Sequence, residues 1–500
     1  MTDRAVREAA DRTPGGEHQP DPRRWQALAV TLVAGFMSLL DISIVAVALP
    51  SVQEGLDAGP SSVQWVVSGY ALTFGLALVP AGRLGDAIGR RTMFLAALSG
   101  FVLCSAIAGA ASSTGVLIAA RLTQGVAAGA LAPQNSALIQ QMFRGAERGR
   151  AFGFYGATVS VSTAVGPVVG GALLALAGEA DGWRWIFYVN VPIGLVALVL
   201  AARLLPRGRG GPRGHVDLVG VGLLGCGVFA VMLPLVLAEA GGLFRLWWSF
   251  PLGTVLLVVF VWWERRVAGR GREPLLDIGL LVGTPGYGSG VLLGLVYFIG
   301  FSGIWLVFAV HLQSGLGYTP LWSGLAVTPF ALGSACSAAI GGRLVERWGR
   351  TLTVVGLSLV VGGLTATALI LLAVPSGAVG LAVAPALLVA GVGSGWVISP
   401  NTTLTLRNVP VSTAGSAGGA LQTGQRVGAA IGTAALPGAY YAVLAASGRS
   451  SSTAAAVAIG VASASAVVAL AVGVVERRSE RRGSPARTTT RSSGDGSAVQ

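Results

Sequence analysis

The stretch Gly82-Arg83-Leu84-Gly85-Asp86-Ala87-Ile88-Gly89-Arg90 returns 260 residues later as Gly342-Arg343-Leu344-Val345-Glu346-Arg347-Trp348-Gly349-Arg350. Gly, Arg, Leu, Gly and Arg recur in register, and Glu346 falls where Asp86 stands. Each copy is a short basic connection between two long apolar runs, entered from the same side. A recurrence of this kind marks two helical bundles related by an axis along the membrane normal. The glycines allow two helix ends to turn tightly. Asp86 is placed to cap the following helix and meet its positive end, and the arginines to anchor on phosphate head groups.

Composition agrees. The 500 residues are 53% hydrophobic and 11% charged, with a mean hydropathy of +0.71. A soluble chain is closer to a quarter charged, so one soluble globule is excluded. All 34 basic residues are arginine, against 21 acids, for a net charge of +13. That excess is scattered in small clusters between apolar runs, with no basic arm or domain, so no nucleic-acid partner is expected. Cys104, Cys226 and Cys336 lie more than a hundred residues apart and match neither a disulfide framework nor a metal-ligand spacing.

A helix needs about 20 apolar residues to cross the hydrocarbon layer. Fourteen such spans are read between residues 25 and 475, and of 34 arginines only Arg184, Arg245 and Arg449 fall on the far side and Arg121 and Arg426 inside spans. The other twenty-nine share one side with both tails, which the positive-inside rule makes cytoplasmic. The first loop copy joins spans 2 and 3 and the second joins spans 10 and 11. The expected layout is a disordered tail (1–24), a six-helix bundle (25–204), a linker with two extra transmembrane helices (205–285), a second six-helix bundle (286–475) and a disordered tail (476–500).

Asp41 lies deep in span 1, where a carboxyl group is costly and marks function by default. Thr31, Ser38 and Asp41 share one helical stripe. Arg121 is the matching oddity in span 4, with Gln124 and Asn135 on nearly the same face. At 1.5 Å per residue, each charge sits about 12–14 Å in from the outer boundary, so the two can meet. A paired guanidinium favours the ionised acid and desolvation the protonated one, and a site balanced between them loads and releases a proton; the rival is a permanent structural salt bridge. Arg426 in span 13 has no acidic partner evident in sequence, and a substrate contact and a backbone-bound role both stay open. In span 5, Gly166-Pro167-Val168-Val169-Gly170-Gly171 combines a bend with small residues that permit close approach. Tyr70, Tyr297, Phe301 and Trp305 are candidates for an aromatic substrate wall, beside core or lipid packing. The string Gly220-x-Gly222-x-x-Gly225 sits inside an apolar span with no preceding strand and is no dinucleotide site. No nucleophile elbow, zinc-binding helix or phosphate loop is present, so no enzyme is expected.

Together these residues resemble the major facilitator superfamily, in particular its fourteen-helix drug:proton antiporter branch (the EmrB/QacA type). The match spans essentially the whole chain between the tails. The first-helix motif is similar to Leu40–Pro50, with Ser43 and Ala46 where the family usually has Thr and Asn. The loop after helix 2 resembles Gly82–Arg91, the fourth-helix motif Arg121-Leu122-Thr123-Gln124-Gly125, and the antiporter motif Gly166, Pro167, Gly170 and Gly171. Trp183-Arg184-Trp185 through Asn190 and Pro192 also looks like this branch. The resemblance implies an all-α major facilitator fold and proton coupling at Asp41 and Arg121. It implies cytoplasmic gating by Gly82, Arg83, Asp86, Gly89 and Arg90. Antiport by alternating access follows in place of symport. The candidates for lining the substrate path, read from the residues themselves, are Gln124, Tyr70, Tyr297, Phe301, Trp305 and Arg426, with the alternatives given above for the rings and for Arg426 still open. Protons are the coupling ion, with no cofactor and no metal. The partners implied are a small drug or antibiotic and the bilayer, with the protein acting as a monomer in the cell membrane. An Arg-only chain of this composition resembles actinobacterial members, many of which export antibiotics. An importer or facilitator of a metabolite on the same fold is the alternative.

Overall fold

The computed structural model describes residues 21–178, 181–207, 217–238, 241–446 and 450–483, and all regular structure among them is helical. The long helices are α1 (Arg24–Gly55), α2 (Pro60–Ile88), α3 (Arg90–Gly109), α4 (Thr114–Met142) and α5 (Gly145–Ala177). They continue with α6 (Gly182–Leu204, broken at Val189), α7 (Leu218–Val236), α8 (Ser249–Gly269), α9 (Tyr287–Val310) and α10 (Pro320–Trp348). The last are α11 (Arg350–Ala373), α12 (Ala384–Thr405), α13 (Ala414–Ala445) and α14 (Ser451–Gly483). Their ends follow local chemistry. Pro60 and Pro320 open α2 and α10 with a preset φ, and the Asp217 carboxylate accepts from the Val219 and Gly220 N–H groups to cap α7. Gly89 and Gly349 take positive φ (102° and 50°), which lets the two repeated loops pass from one helix to the next without a break.

The span count differs from the sequence reading. Among the described residues, twelve helices are long and apolar enough to cross a membrane, not fourteen. α5 and α8 are not among the twelve. In α8 the cause is charge, because Glu264, Arg265 and Arg266 fall within its 21 residues. α5 opens on Glu147, Arg148 and Arg150, and its Thr163, Ala164, Pro167 and Ala175 side chains lie outside the described set. The insertion between the halves therefore contributes one candidate span, α7, where two extra transmembrane helices were expected. The tails read in the sequence, 1–24 and 476–500, fall mostly outside the described residues, but α1 starts at Arg24 and α14 runs on to Gly483.

Each half has its own apolar core. Leu98, Phe101, Leu131 and Leu138 lie at the centre of the first, and Leu293, Leu357, Leu387 and Ile459 at the centre of the second. The linker helices do not float beside them. Leu224, Val228 and Met232 of α7 and Phe260 of α8 pack with Leu72 and Val79 of α2 and Ala430 and Ala434 of α13. The halves themselves meet where α2 lies on α13 and α5 lies on α10 and α12.

Candidate functional site

The centre of the first half holds a closed polar cluster. Asp41 and Arg121 are both fully buried and form an ion pair. Arg121 also donates through Nη1 to Gln124 Oε1 (2.7 Å) and through Nε to the Val66 carbonyl (3.0 Å). The other Asp41 oxygen accepts from Gln124 Nε2 and Asn190 Nδ2, each at 3.3 Å, and both amides also reach Ser105 Oγ, at 2.8 and 3.2 Å. The Tyr70 ring lies under the Arg121 guanidinium at 4.1 Å, and its hydroxyl donates to the Ser38 carbonyl (2.9 Å). Four helices beyond α1 thus meet in the cluster, α4 and α6 on the carboxylate itself and α2 and α3 on its partners. A buried acid so arranged can exchange a proton only by rearranging its partners, which ties its protonation to helix positions.

The Gly-rich face of α5 reaches the same cluster from the side. Gly166 sits against Ser43, two residues from Asp41, so closely that a Cβ there would collide with the Ser43 hydroxyl. Ser43 Oγ donates to the Leu40 carbonyl (3.0 Å) and reaches the Ser162 carbonyl of α5 (3.1 Å). Gly170 is buried, Gly171 faces open space, and the Pro167 side chain lies outside the described residues, as do those of Ala46, Val47 and Pro50 in the first-helix motif.

At the arginine-rich end the first loop copy does not cap its own helix. Asp86 accepts from the Gly415 and Ser416 N–H groups (3.1 and 3.0 Å), the buried start of α13 in the other half, and pairs with Arg90 (3.2 Å). A carboxylate at a helix N-terminus meets both free N–H groups and the positive end of the dipole. Arg90 is itself buried, bonded to the Ala137 carbonyl (3.1 Å) and to the Val411 carbonyl across the junction, so it is spent inside the protein and not on lipid phosphate. Arg83 pairs with Glu273 of the linker. Gly82 and Gly415 meet backbone to backbone, and the second copy repeats that crossing where Gly342 meets Gly149 and Gly153 of α5. At both crossings a Cβ would strike main chain.

Tyr297, Phe301 and Trp305 lie in the second half as packed rings. Tyr297 and Phe301 stack at 5.7 Å, Trp305 stands edge-on to Phe330 at 4.8 Å, and the Tyr297 hydroxyl donates to Ser394 (2.7 Å). The void beside them is about 10 Å³, too small for cargo. Arg426 stands apart from them, its guanidinium over the Phe74 ring of α2 at 4.3 Å.

The sequence places Asn190 only within a family-like stretch and gives Ser105 no role. Both interrupt apolar runs, the signal that marks Asp41, but short neutral side chains are common in membrane helices. Glu476 was assigned to a tail, yet it pairs with the buried Arg350, which also donates to Asn401 Oδ1 (2.7 Å).

Residues 31–433 match the family model of the Major Facilitator Superfamily. A puromycin resistance protein of Streptomyces alboniger is 40% identical over 473 residues, covering 91% of this chain and 90% of that protein. A probable actinorhodin transporter of Streptomyces coelicolor is 35% identical over 441 residues, covering 86% of this chain and 75% of the relative. The crystal structure of the human organic anion transporter MFSD10 superposes with a TM-score of 0.65 over 91% of this chain and all of that one, at 16% identity, a likeness of fold alone. The twelve apolar spans, the doubled loop and the match over most of the chain converge: this chain belongs to the major facilitator superfamily.

Proposed function

We propose that this protein is a drug-efflux transporter of the cell membrane that exchanges protons for amphipathic small molecules, antibiotics among them, by alternating access between its two halves. The antibiotic resistance and export proteins among its relatives support the efflux part. The observation that carries the proton part is Asp41, fully buried yet held by Arg121, Gln124 and Asn190 from two other helices. Protonation removes its charge, weakens its hold on Arg121 and frees α1 to move against α4 and α6. Deprotonation restores the cluster. Taking the arginine-rich side as cytoplasmic, the paired glycine crossings and the Asp86–α13 contact close that side in this conformation. Drug loading then requires both crossings to part.

The test is gradient-driven efflux in inverted vesicles by wild type, Asp41→Asn and Arg121→Ala. Both variants are expected to lose the response to an imposed proton gradient. Unchanged gradient-dependent efflux in Asp41→Asn removes that residue from the mechanism.

A further inference from the structure

We propose that the cargo of this exporter is an aromatic anion, a carboxylate or phenolate whose charge is taken by Arg426; this rests on the efflux reading above. Arg426 lies twelve residues into α13 from Ala414, about 18 Å along the helix, and so near mid-membrane. Among the described residues it has no carboxylate partner and no hydrogen bond, and it is only half-buried. Arg121 is likewise deep but fully spent on Asp41, Gln124 and the Val66 carbonyl. Asp41 is the sole acid that deep within the spans, and it is sealed. The centre of the protein therefore carries one uncompensated positive charge, and an unpaired guanidinium in a low-dielectric interior favours an anion over a cation.

The surroundings narrow the class. Phe74 presents its ring face to the guanidinium at 4.3 Å and stands 6.1 Å from Tyr70, while Tyr155 of α5 lies within electrostatic reach from the other side of the junction. Arg426 comes from the second half, Phe74 and Tyr155 from the first, so a ligand held here bridges the two bodies that must part. Flat rings of the cargo can replace Phe74 on the guanidinium face while its oxygens take the planar fork edge-on. Lysine, a point charge, serves the second contact better than the first. Outward movement of an anion also carries negative charge out of a negative interior, so membrane potential adds to the driving force.

The experiment uses the purified full chain in proteoliposomes, with two xanthene dyes of similar size as probes, fluorescein (anionic) and rhodamine 123 (cationic). Wild type is expected to move fluorescein faster than rhodamine 123 under a proton gradient, and faster still when a potassium diffusion potential is added in the direction that expels anions. Arg426→Gln should lower fluorescein transport by about tenfold or more and leave any rhodamine 123 transport within about twofold, whereas Arg426→Lys should recover most of the loss. Faster transport of rhodamine 123 by wild type, or equal loss of both dyes in Arg426→Gln with no recovery in Arg426→Lys, overturns the anion assignment and leaves the efflux reading standing. Movement of neither dye, and of no other solute against its gradient, overturns both.

Discussion

The two copies of the repeated loop share five residues in register and do different work. In the first, Asp86 reaches out of its own half to the N-terminus of α13, and Arg90 follows it to Val411. In the second, Glu346 is exposed beside Gly145 at the start of α5, and Arg350 turns inward to Glu476 and Asn401 of its own half. The glycines, by contrast, behave alike, each giving a bare backbone crossing to the opposite half. A duplicated motif thus keeps its steric element in both copies, because both junctions need close approach. Its charge element is a cross-half latch in one copy and an internal brace in the other. A similar contrast separates the bundles: the first holds the buried Asp41–Arg121 pair, and the second holds the stacked rings of Tyr297 and Phe301.

The comparison can be broken most severely at the brace. Arg350→Ala leaves Glu476 and Asn401 without their shared partner in the interior and is expected to cost about 3–5 kcal/mol, read as a lower midpoint of thermal unfolding in detergent. Transport per folded molecule should survive. Next comes the latch. Asp86→Ala removes an ion pair and two charge-assisted bonds to α13, and efflux should fall by about tenfold or more with little change in thermal midpoint. The matching Glu346→Ala should stay within about twofold. Equal losses at Asp86 and Glu346 would mean that the copies are functionally equivalent, contrary to their contacts.

The smallest expected effect concerns the linker, which the first copy grips through the Arg83–Glu273 pair. Beneath it, burial raises the Glu264 carboxyl to about 7, opposed by the bond it accepts from the Leu276 N–H and reinforced by Asp217. An acid that holds its proton longer when folded than when unfolded makes the fold less stable as pH rises, here from about 4.5 through 7. The thermal midpoint should therefore decline across that window in wild type and decline less in Glu264→Gln. A slope unchanged by the substitution would assign the pH dependence to other groups.

How much was legible in advance follows the same divide. The pairing of Asp41 with Arg121 could be read from depth alone, since two opposite charges at matching heights in neighbouring spans have few other places to go. The partner of Asp86 could not, because it is backbone, 329 residues away, and backbone N–H groups leave no mark in a sequence. Glu476 was misplaced because the arginines that follow it look like the start of a tail, although the helix continues past them to Gly483. The span count was overdrawn at α8 for the opposite reason: its apolar start outweighed the three charges that close it. Tyr297, Phe301 and Trp305 illustrate a third limit, since helical spacing cannot distinguish rings facing a cavity from rings facing one another.

The most direct test of the proton account is counterflow. Proteoliposomes with a pH-sensitive dye inside are given an outward or inward gradient of drug and no initial proton gradient. Wild type should drive protons in the direction opposite to the drug, and Asp41→Asn should let drug run down its gradient with the internal pH unchanged. Proton movement of wild-type size in Asp41→Asn would contradict the assignment of coupling to the buried carboxylate.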